Sequence, residues 1–389
     1  MKFIIYTSIR SPHMMPLATE LVKRLGKNQL RYIYTVKYDK TRKNMGWGNN
    51  DAEWCSYIKN DYINTFDADC LLTSFRDCDL IQRRIQNHKK TLYLSERWLK
   101  PPLGLMRLLN PQYLRMAKAF CNFIQSPEFT YLAIGVHAAK DIVRLYELLH
   151  NKKTSSFFYV PPITFESRPG GAILPLEEAL EQDLIEEKEV SIAYKNGFCQ
   201  IPQEKWGQAK PKGIYAKVKM WGYFVEPSPR QTINMPRNGV LWCGRLIKLK
   251  KINTLIRACN ELNLPLDIYG DGPEKTRLQK IAGSSVRFHP FVPIEKVRQI
   301  MREHKTYVLP SNGYEGWGAV VSEALEEGMI VYASCESGAG ATILPHECLF
   351  HSNDFKRLAR LLSQFNAPLT IGEWSARNAA DYMVDTLLR

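Results

Sequence analysis

The sequence has no run of about 18 uncharged apolar residues, so no helix of the length that crosses a bilayer is expected and any membrane contact is peripheral. It also has no CxxC pair and no histidine cluster at zinc-binding spacing, which excludes the common structural zinc modules. The nine cysteines, at 55, 70, 78, 121, 199, 243, 259, 335 and 348, are scattered and odd in number; they read as reduced thiols in a cytoplasm rather than a disulfide framework. The opening MKFIIYTSIR is apolar over too few residues before Arg10 to serve as a signal-peptide core. Internal repeats and low-complexity stretches are absent as well. What remains is a chain of 389 residues, long enough for two or three domains, with 45% hydrophobic and 24% charged residues, the composition of an ordinary folded protein. Its 53 Lys and Arg outweigh 39 Asp and Glu, and the net charge of +14 creates a field attractive to nucleic acid, anionic lipid or phosphorylated small molecules. No nucleic-acid module accompanies the charge, so nucleic acid is not expected as a partner.

Apolar runs alternate with helical periodicity from the first residues on. Phe3 to Thr7 reads as a strand, Ser8 to Pro12 as a loop, and Leu17, Leu21, Val22 and Leu25 as one face of a helix. Strands at Leu30 to Val36, Cys70 to Ser74 and Thr91 to Ser95, and helices at Asp77 to Gln86 and Ala138 to His150, continue the series. Alternation of this kind predicts an α/β protein with parallel sheets covered on both faces. Between Ile163 and Val190 eight acidic residues face Arg168 and Lys188, and the pattern becomes that of a solvated amphipathic helix from Leu176. Pro227, Pro229 and Pro236 mark Val225 to Asn238 as an interdomain linker. A second series follows: strands at Gly239 to Cys243, Leu266 to Tyr269, Ser285 to Phe288, Thr306 to Leu309 and Ile330 to Ser334, with helices at Ile252 to Leu262, Glu274 to Ile281, Ile294 to Glu303 and Ala319 to Glu327 between them. Two such domains predict a ligand cleft at the strand ends. The boundaries expected are 1–230, 231–370 and a C-terminal helix, 371–389, packing back on the first domain.

The densest chemical signal is SNGYEGWGAVVSEALEEG, residues 311–328. Gly313, Gly316 and Gly318 let backbone amides approach a ligand, and the following helix N-terminus favours an anion. Glu315 and Glu323, eight positions apart, are separated by about 12 Å at helical rise, so each could bind one end of a ligand; on spacing alone a glycine turn with two solvated glutamates serves equally. LWCGRLIKLKK, residues 241–251, puts Arg245 and Lys250 just after Gly244, where two cations can hold a diphosphate or simply form a basic surface loop. The turn Gly270, Asp271, Gly272, Pro273 is a third strand-end loop and an ordinary helix-capping turn in equal measure.

Taken in order, GRL with a lysine five after the arginine, YGDGPE, FHPFVP and EGWGAVVSEALEEG resemble the nucleotide-sugar domain of family 4 glycosyltransferases, retaining enzymes of GT-B fold. The resemblance covers residues 239 to about 345. It implies two Rossmann-like domains facing a cleft, and a sugar transferred from a nucleotide-sugar donor, a UDP- or GDP-sugar first among them, to a saccharide or lipid-linked acceptor. It further implies Glu315 on the donor sugar, Glu323 on the ribose hydroxyls, Arg245 and Lys250 on the diphosphate, and Phe291 and Val292 beside the base. Backbone around Gly244, Gly270, Gly316, Trp317, Gly318 and Ala319 completes the donor pocket. In the first domain the resemblance holds only in outline: the loop after the first strand, Ser8 to His13, has no glycine, and where many members carry a histidine this chain has Ser95, Glu96 and Arg97. His13, Glu96 and His137 are the candidates for acceptor or catalytic roles there.

No organic cofactor and no metal are implied. Asp67 with Asp69 and Asp77 with Asp79 form DxD pairs, the metal motif of the other large glycosyltransferase fold, but the first precedes its strand and suits a turn. Gly338 and Gly340 in SGAGAT lack the third glycine of a dinucleotide fingerprint and suit a plain turn. A metal-independent transferase of cell-surface polysaccharide or lipopolysaccharide synthesis is the reading this supports. A noncatalytic glycan-binding or partner-stabilising subunit and a nucleotide-sugar epimerase of the same fold are the alternatives. Residues 97–124 hold five cations and no acidic residue among many apolar ones, a pattern shared by a helix lying on an anionic leaflet and a helix packed into the core. The first option places the protein at the inner face of the cell membrane.

Overall fold

The computed structural model describes residues 1–38, 52–59, 62–150, 182–183, 213–226, 237–364 and 374–388. The acidic helix expected from Leu176 and most of the proline-rich linker lie outside them. The chain divides into two compact units: one runs up to Phe224 and resumes at Glu373, and the other spans Val225–Gly372.

In the first unit, strands β1 (Phe3–Thr7), β2 (Leu30–Tyr34), β3 (Cys55–Tyr57), β4 (Cys70–Thr73), β5 (Lys90–Ser95), β6 (Phe129–Ile134) and β7 (Val218–Trp221) form one sheet in the order β3-β2-β1-β4-β5-β6-β7. Every pairing is parallel. The helices are α1 (Met15–Leu25), α2 (Tyr62–Asp67), α3 (Cys78–Gln86), α4 (Pro111–Phe123), α5 (Val136–Leu149) and the short α6 (Ile214–Lys217). Parallel strands need such crossovers, and helices on the sheet explain why FIIYT is apolar almost throughout instead of alternating. Side chains set the helix starts. Asp77 caps α3 by accepting from the Leu80 amide at 2.9 Å, and Asn110 caps α4 ahead of Pro111. Arg84, fully buried, donates to the carbonyls of Thr65, Phe66, Ala68 and Lys90 and to the Thr91 hydroxyl, which satisfies a charge the core could not otherwise hold.

The second unit repeats the plan. Strands β8 (Asn238–Cys243), β9 (Leu266–Tyr269), β10 (Val286–His289), β11 (His304–Leu309), β12 (Ile330–Ser334) and β13 (Leu349–Phe350) make a parallel sheet in the order β10-β9-β8-β11-β12-β13. Helices α7 (Ile252–Leu262), α8 (Lys275–Ile281), α9 (Ile294–Glu303), α10 (Val320–Glu326), α11 (Gly338–Ile343) and α12 (Phe355–Ser363) connect and flank it. A last helix, α13 (Ala376–Tyr382), capped by Ser375, belongs to the first unit, where Arg24 of α1 meets Asp381 at 2.6 Å.

Two readings change. SGAGAT forms the helix α11 instead of a plain turn, and Gly338 lets that helix lie against the Gly316 backbone. The basic segment 97–124 is split: Trp98, Ala117, Phe120, Cys121 and Phe123 are buried, so α4 turns its apolar face into the core, while Leu103, Met106 and Leu109 stay exposed.

Candidate active site

In the second sheet the chain leaves β8 toward β9 on one side and returns to β11 on the other. Loops after β8 and β11 therefore part in opposite directions and leave a crevice at the strand ends, the usual ligand position in open parallel sheets. The GRL loop follows β8 and residues 311–319 follow β11, so the two strongest sequence signals meet at this crevice. The Asn312 amide donates to the Leu249 carbonyl at 2.9 Å, and Lys250 Nζ donates to Glu315 Oε2 at 2.5 Å. With side chains 21% and 14% exposed, that pair is partly shielded from water and mutually neutralised. Arg245 is exposed, and no side-chain partner is found for it among the described residues.

Backbone contacts fix the third loop. Gly244 N donates to Tyr269 O at 3.0 Å, Leu246 N to Asp271 O at 2.8 Å and Glu274 N to Leu246 O at 3.0 Å, which lays the YGDGPE turn along the GRL loop. Gly270 has φ 146°, and a Cβ there would collide with the Gly244 carbonyl; glycine is required. Phe291, 43% exposed, and Val292 follow β10 on the same sheet edge.

The 311–319 loop is held from below. Ser334 Oγ donates to the Ser311 carbonyl, and the Glu336 carboxylate accepts from the Gly313 amide at 3.1 Å and from the Ser352 hydroxyl at 2.7 Å. Gly338 N donates to Gly316 O at 3.2 Å and Ala339 N to Trp317 O at 2.7 Å. A side chain on Gly338 would strike the Gly316 carbonyl, so the small residues of SGAGAT are what allow α11 to brace the glycine turn. Sequence reasoning missed Glu336 and this brace; the paired small residues were the available signal.

Glu315 lies in the loop and α10 covers only Val320–Glu326, so helical rise does not apply across the whole interval from Glu315 to Glu323. Glu323 is buried, 8% exposed. Burial pushes its carboxyl up to about 7; the Arg298 guanidinium offsets part of this, and the Glu327 carboxylate adds to it. Glu327, one turn on, is paired with Arg298 and Arg302 of α9 at 2.6 Å each, which anchors the end of α10 and so the position of Glu323.

The first unit has its own reversal between β1 and β4. His13 follows β1, Glu96 follows β5 and His137 opens α5 after β6, so all three candidates stand on the C-terminal edge of one sheet. Burial lowers the His13 imidazole to about 4, leaving it neutral at pH 7, and its ring lies 6.0 Å from that of Tyr223. Tyr223, a phenol not anticipated from sequence, has its pKa raised by burial and by the Glu96 carboxylate, to which it is hydrogen-bonded. Arg10, only 4% exposed, occupies the glycine-free loop, with Tyr38 hydrogen-bonded to its carbonyl. The DxD pairs are otherwise engaged: Asp69 accepts from the Lys2 amide at 2.6 Å and Asp77 is the α3 cap.

Residues 226–367 match the family model of glycosyl transferases group 1, and Arg245, Lys250, Glu315 and Glu323 all lie inside the matched segment. Two parallel-sheet units of this kind are the GT-B architecture. Among solved structures the chain is similar to Anabaena HepE in complex with UDP and glucose, at 12% identity and a TM-score of 0.58 over 100% of this chain and 99% of that one. The same protein in complex with UDP-glucose aligns at 12% identity and a TM-score of 0.51, over 100% and 97%. At such identity the likeness concerns the fold. No curated protein sequence matches the chain.

Proposed function

We propose that the protein is a retaining, metal-independent glycosyltransferase that moves a sugar from a nucleoside-diphosphate donor to a saccharide or lipid-linked acceptor, in the synthesis of a cell-surface glycan. The observation that carries the reading is the meeting of Lys250 and Glu315 at the reversal point of the second sheet, beside the exposed Arg245. A carboxylate and two cations at a crevice suit a ligand that is a polyol at one end and a diphosphate at the other. In this reading Arg245 forks onto the diphosphate, Lys250 supplies a point charge, Glu315 accepts from sugar hydroxyls and Glu323 from the ribose. Phe291 and Val292 flank the base. The family match supports sugar transfer, and HepE, crystallised with UDP-glucose, makes a uridine diphosphate sugar the first donor to try.

The chemistry asked of the site is electrostatic. The anomeric C–O bond to the diphosphate breaks, a C–O bond to the acceptor oxygen forms on the same face, and the acceptor proton passes to the departing phosphate oxygen. Negative charge collects on the leaving group, where fixed cations and backbone amides near Gly316 to Ala319 lower the barrier by preorganisation. Engagement of Asp69 and Asp77 in backbone caps favours protein cations over a DxD-bound metal for this task.

The test is a thermal-shift screen with UDP, GDP, ADP and CMP sugars, followed by release of nucleotide from the best donor. A ligand at 100 times its Kd raises stability by about 2.7 kcal/mol. One donor that stabilises and is consumed is the expected result; no shift with any of them refutes the donor assignment.

A further inference from the structure

The 3-10 helix Gly104–Leu109 and the residue before it carry an unexplained feature. Leu103, Met106 and Leu109 are 48%, 62% and 78% exposed. At three residues per turn, positions 103, 106 and 109 eclipse one another, so the three apolar side chains form one line along the helix. Scattered exposed leucines need no account; a row of three does. The α4 helix packs directly on this element, and its apolar face is already used in the core. Its Arg115 and Lys118, one turn apart and exposed, line a groove of about 480 Å³ between α3 and α4, with Gln82, Asn122 and Ser126 around them. Lys100 and Arg107, both half-buried, belong to the same segment, and Arg107 Nε donates to the Lys100 carbonyl at 3.2 Å. Among the described residues, Arg97 alone of the five cations in residues 97–124 has a carboxylate partner, Asp141 at 3.3 Å, and the stretch has no acidic residue of its own.

We propose that this face of the first unit docks on an anionic lipid leaflet, with the Leu103, Met106, Leu109 row entering the interface and Arg115 and Lys118 receiving a headgroup phosphate in the groove. Charge selects this occupant. A second copy of the chain would bring the same four cations against themselves, whereas an anionic leaflet complements both parts of the surface: apolar side chains enter the acyl boundary and cations hold the phosphate plane. The inference stands apart from the donor assignment, since every residue in it belongs to the first unit.

Co-sedimentation of the full chain with vesicles of phosphatidylcholine alone, or of phosphatidylcholine with phosphatidylglycerol, tests it. Binding is expected only with the anionic lipid, falling as salt rises. Arg115→Gln with Lys118→Gln should weaken it roughly 25-fold, about fivefold for each cation near the surface. Leu103→Ser, Met106→Ser and Leu109→Ser together, at exposed positions that leave the fold intact by circular dichroism, should weaken binding to the same vesicles without changing its salt dependence. Equal recovery in the supernatant with and without anionic vesicles at low salt overturns the proposal. So does vesicle binding that neither variant affects, and so does concentration-dependent self-association abolished by the serine variant, which would assign the row to a second copy.

Discussion

Replacing Glu323 by Gln should stabilise the protein, and more so the higher the pH. In the unfolded chain this carboxyl ionises near its ordinary value of 4.5; in the fold, burial holds the proton until about pH 7. Between those values unfolding releases a proton, so stability falls as pH rises from 4.5 to about 7 and stays at the lower level above it. By linkage that interval is worth about 3 kcal/mol at pH 8, and almost nothing at or below pH 4.5. Gln keeps the shape of the protonated acid and has no charge to bury. For a unit of this size 1 kcal/mol corresponds to about 2–4 °C in Tm, so the gain at pH 8 should be on the order of 6–12 °C. Melting curves of both proteins without nucleotide, at pH 5 and pH 8, give the comparison, and the difference between the two pH values cancels anything the substitution does to packing. An equal shift at both pH values would refute the reasoning. The same residue should lose function: if ionised Glu323 accepts the ribose hydroxyls, Glu323→Gln weakens nucleoside diphosphate binding while raising Tm, and binding to the parent protein releases protons near pH 7, measurable as a buffer-dependent enthalpy.

Arg245→Ala and Lys250→Ala should each lower turnover on the order of 100-fold or more by removing a fixed counter-charge from the leaving diphosphate; near-normal rates in both, with the fold intact, would remove them from the site. Glu315→Gln should abolish transfer but spare or tighten nucleoside diphosphate binding, because Lys250, paired with Glu315 at 2.5 Å, becomes available to phosphate. Equal weakening by calorimetry in Glu315→Gln and Lys250→Ala would contradict that division. Transfer should persist in excess EDTA; complete loss restored by manganese or magnesium would show that a metal takes part.

Periodicity located the elements of the second unit closely. Helices at Ile252–Leu262 and Ile294–Glu303 and strands at Leu266–Tyr269 and Ile330–Ser334 fall where the apolar spacing puts them, because each is amphipathic or wholly buried and bounded by a polar turn. Strands β3, β6, β7 and the two-residue β13 carry no such signal. In β6, FTYLAI follows directly on the helical pattern of residues 111–123, and β7 has four residues, too few for a period to register. The site divides in the same way. Arg245, Lys250, Glu315 and Glu323 carry charge at fixed spacing along single loops, so they are legible. Glu336, which supports the Gly313 amide, and Tyr223, which meets Glu96, act through contacts between segments far apart in sequence, and no local pattern announces such a contact.

The two sheet edges offer contrasting chemistry, and the contrast bears on where the acceptor's proton goes. A general base works best with a pKa near the working pH. His13, lowered to about 4 by burial, is neutral at pH 7 but a weak proton acceptor, and Tyr223 and Tyr32 are raised by burial and stay protonated. These groups keep a fixed protonation state at pH 7, which suits hydrogen bonding better than proton abstraction. Glu96, exposed and tied to Tyr223, is the one carboxylate in that group. Once the bond to the sugar breaks, the terminal phosphate of a nucleoside diphosphate ionises near neutrality, which suits it to accept a proton at pH 7. The leaving group is the better base. Under the proposed transfer the proton and the new bond then stay on one face of the sugar, and the arrangement that neutralises the diphosphate at Arg245 and Lys250 also sets how basic it becomes: cations strong enough to speed departure weaken the proton acceptor that the incoming hydroxyl needs. Under the same proposal, a lysine paired with Glu315 is a compromise between those demands.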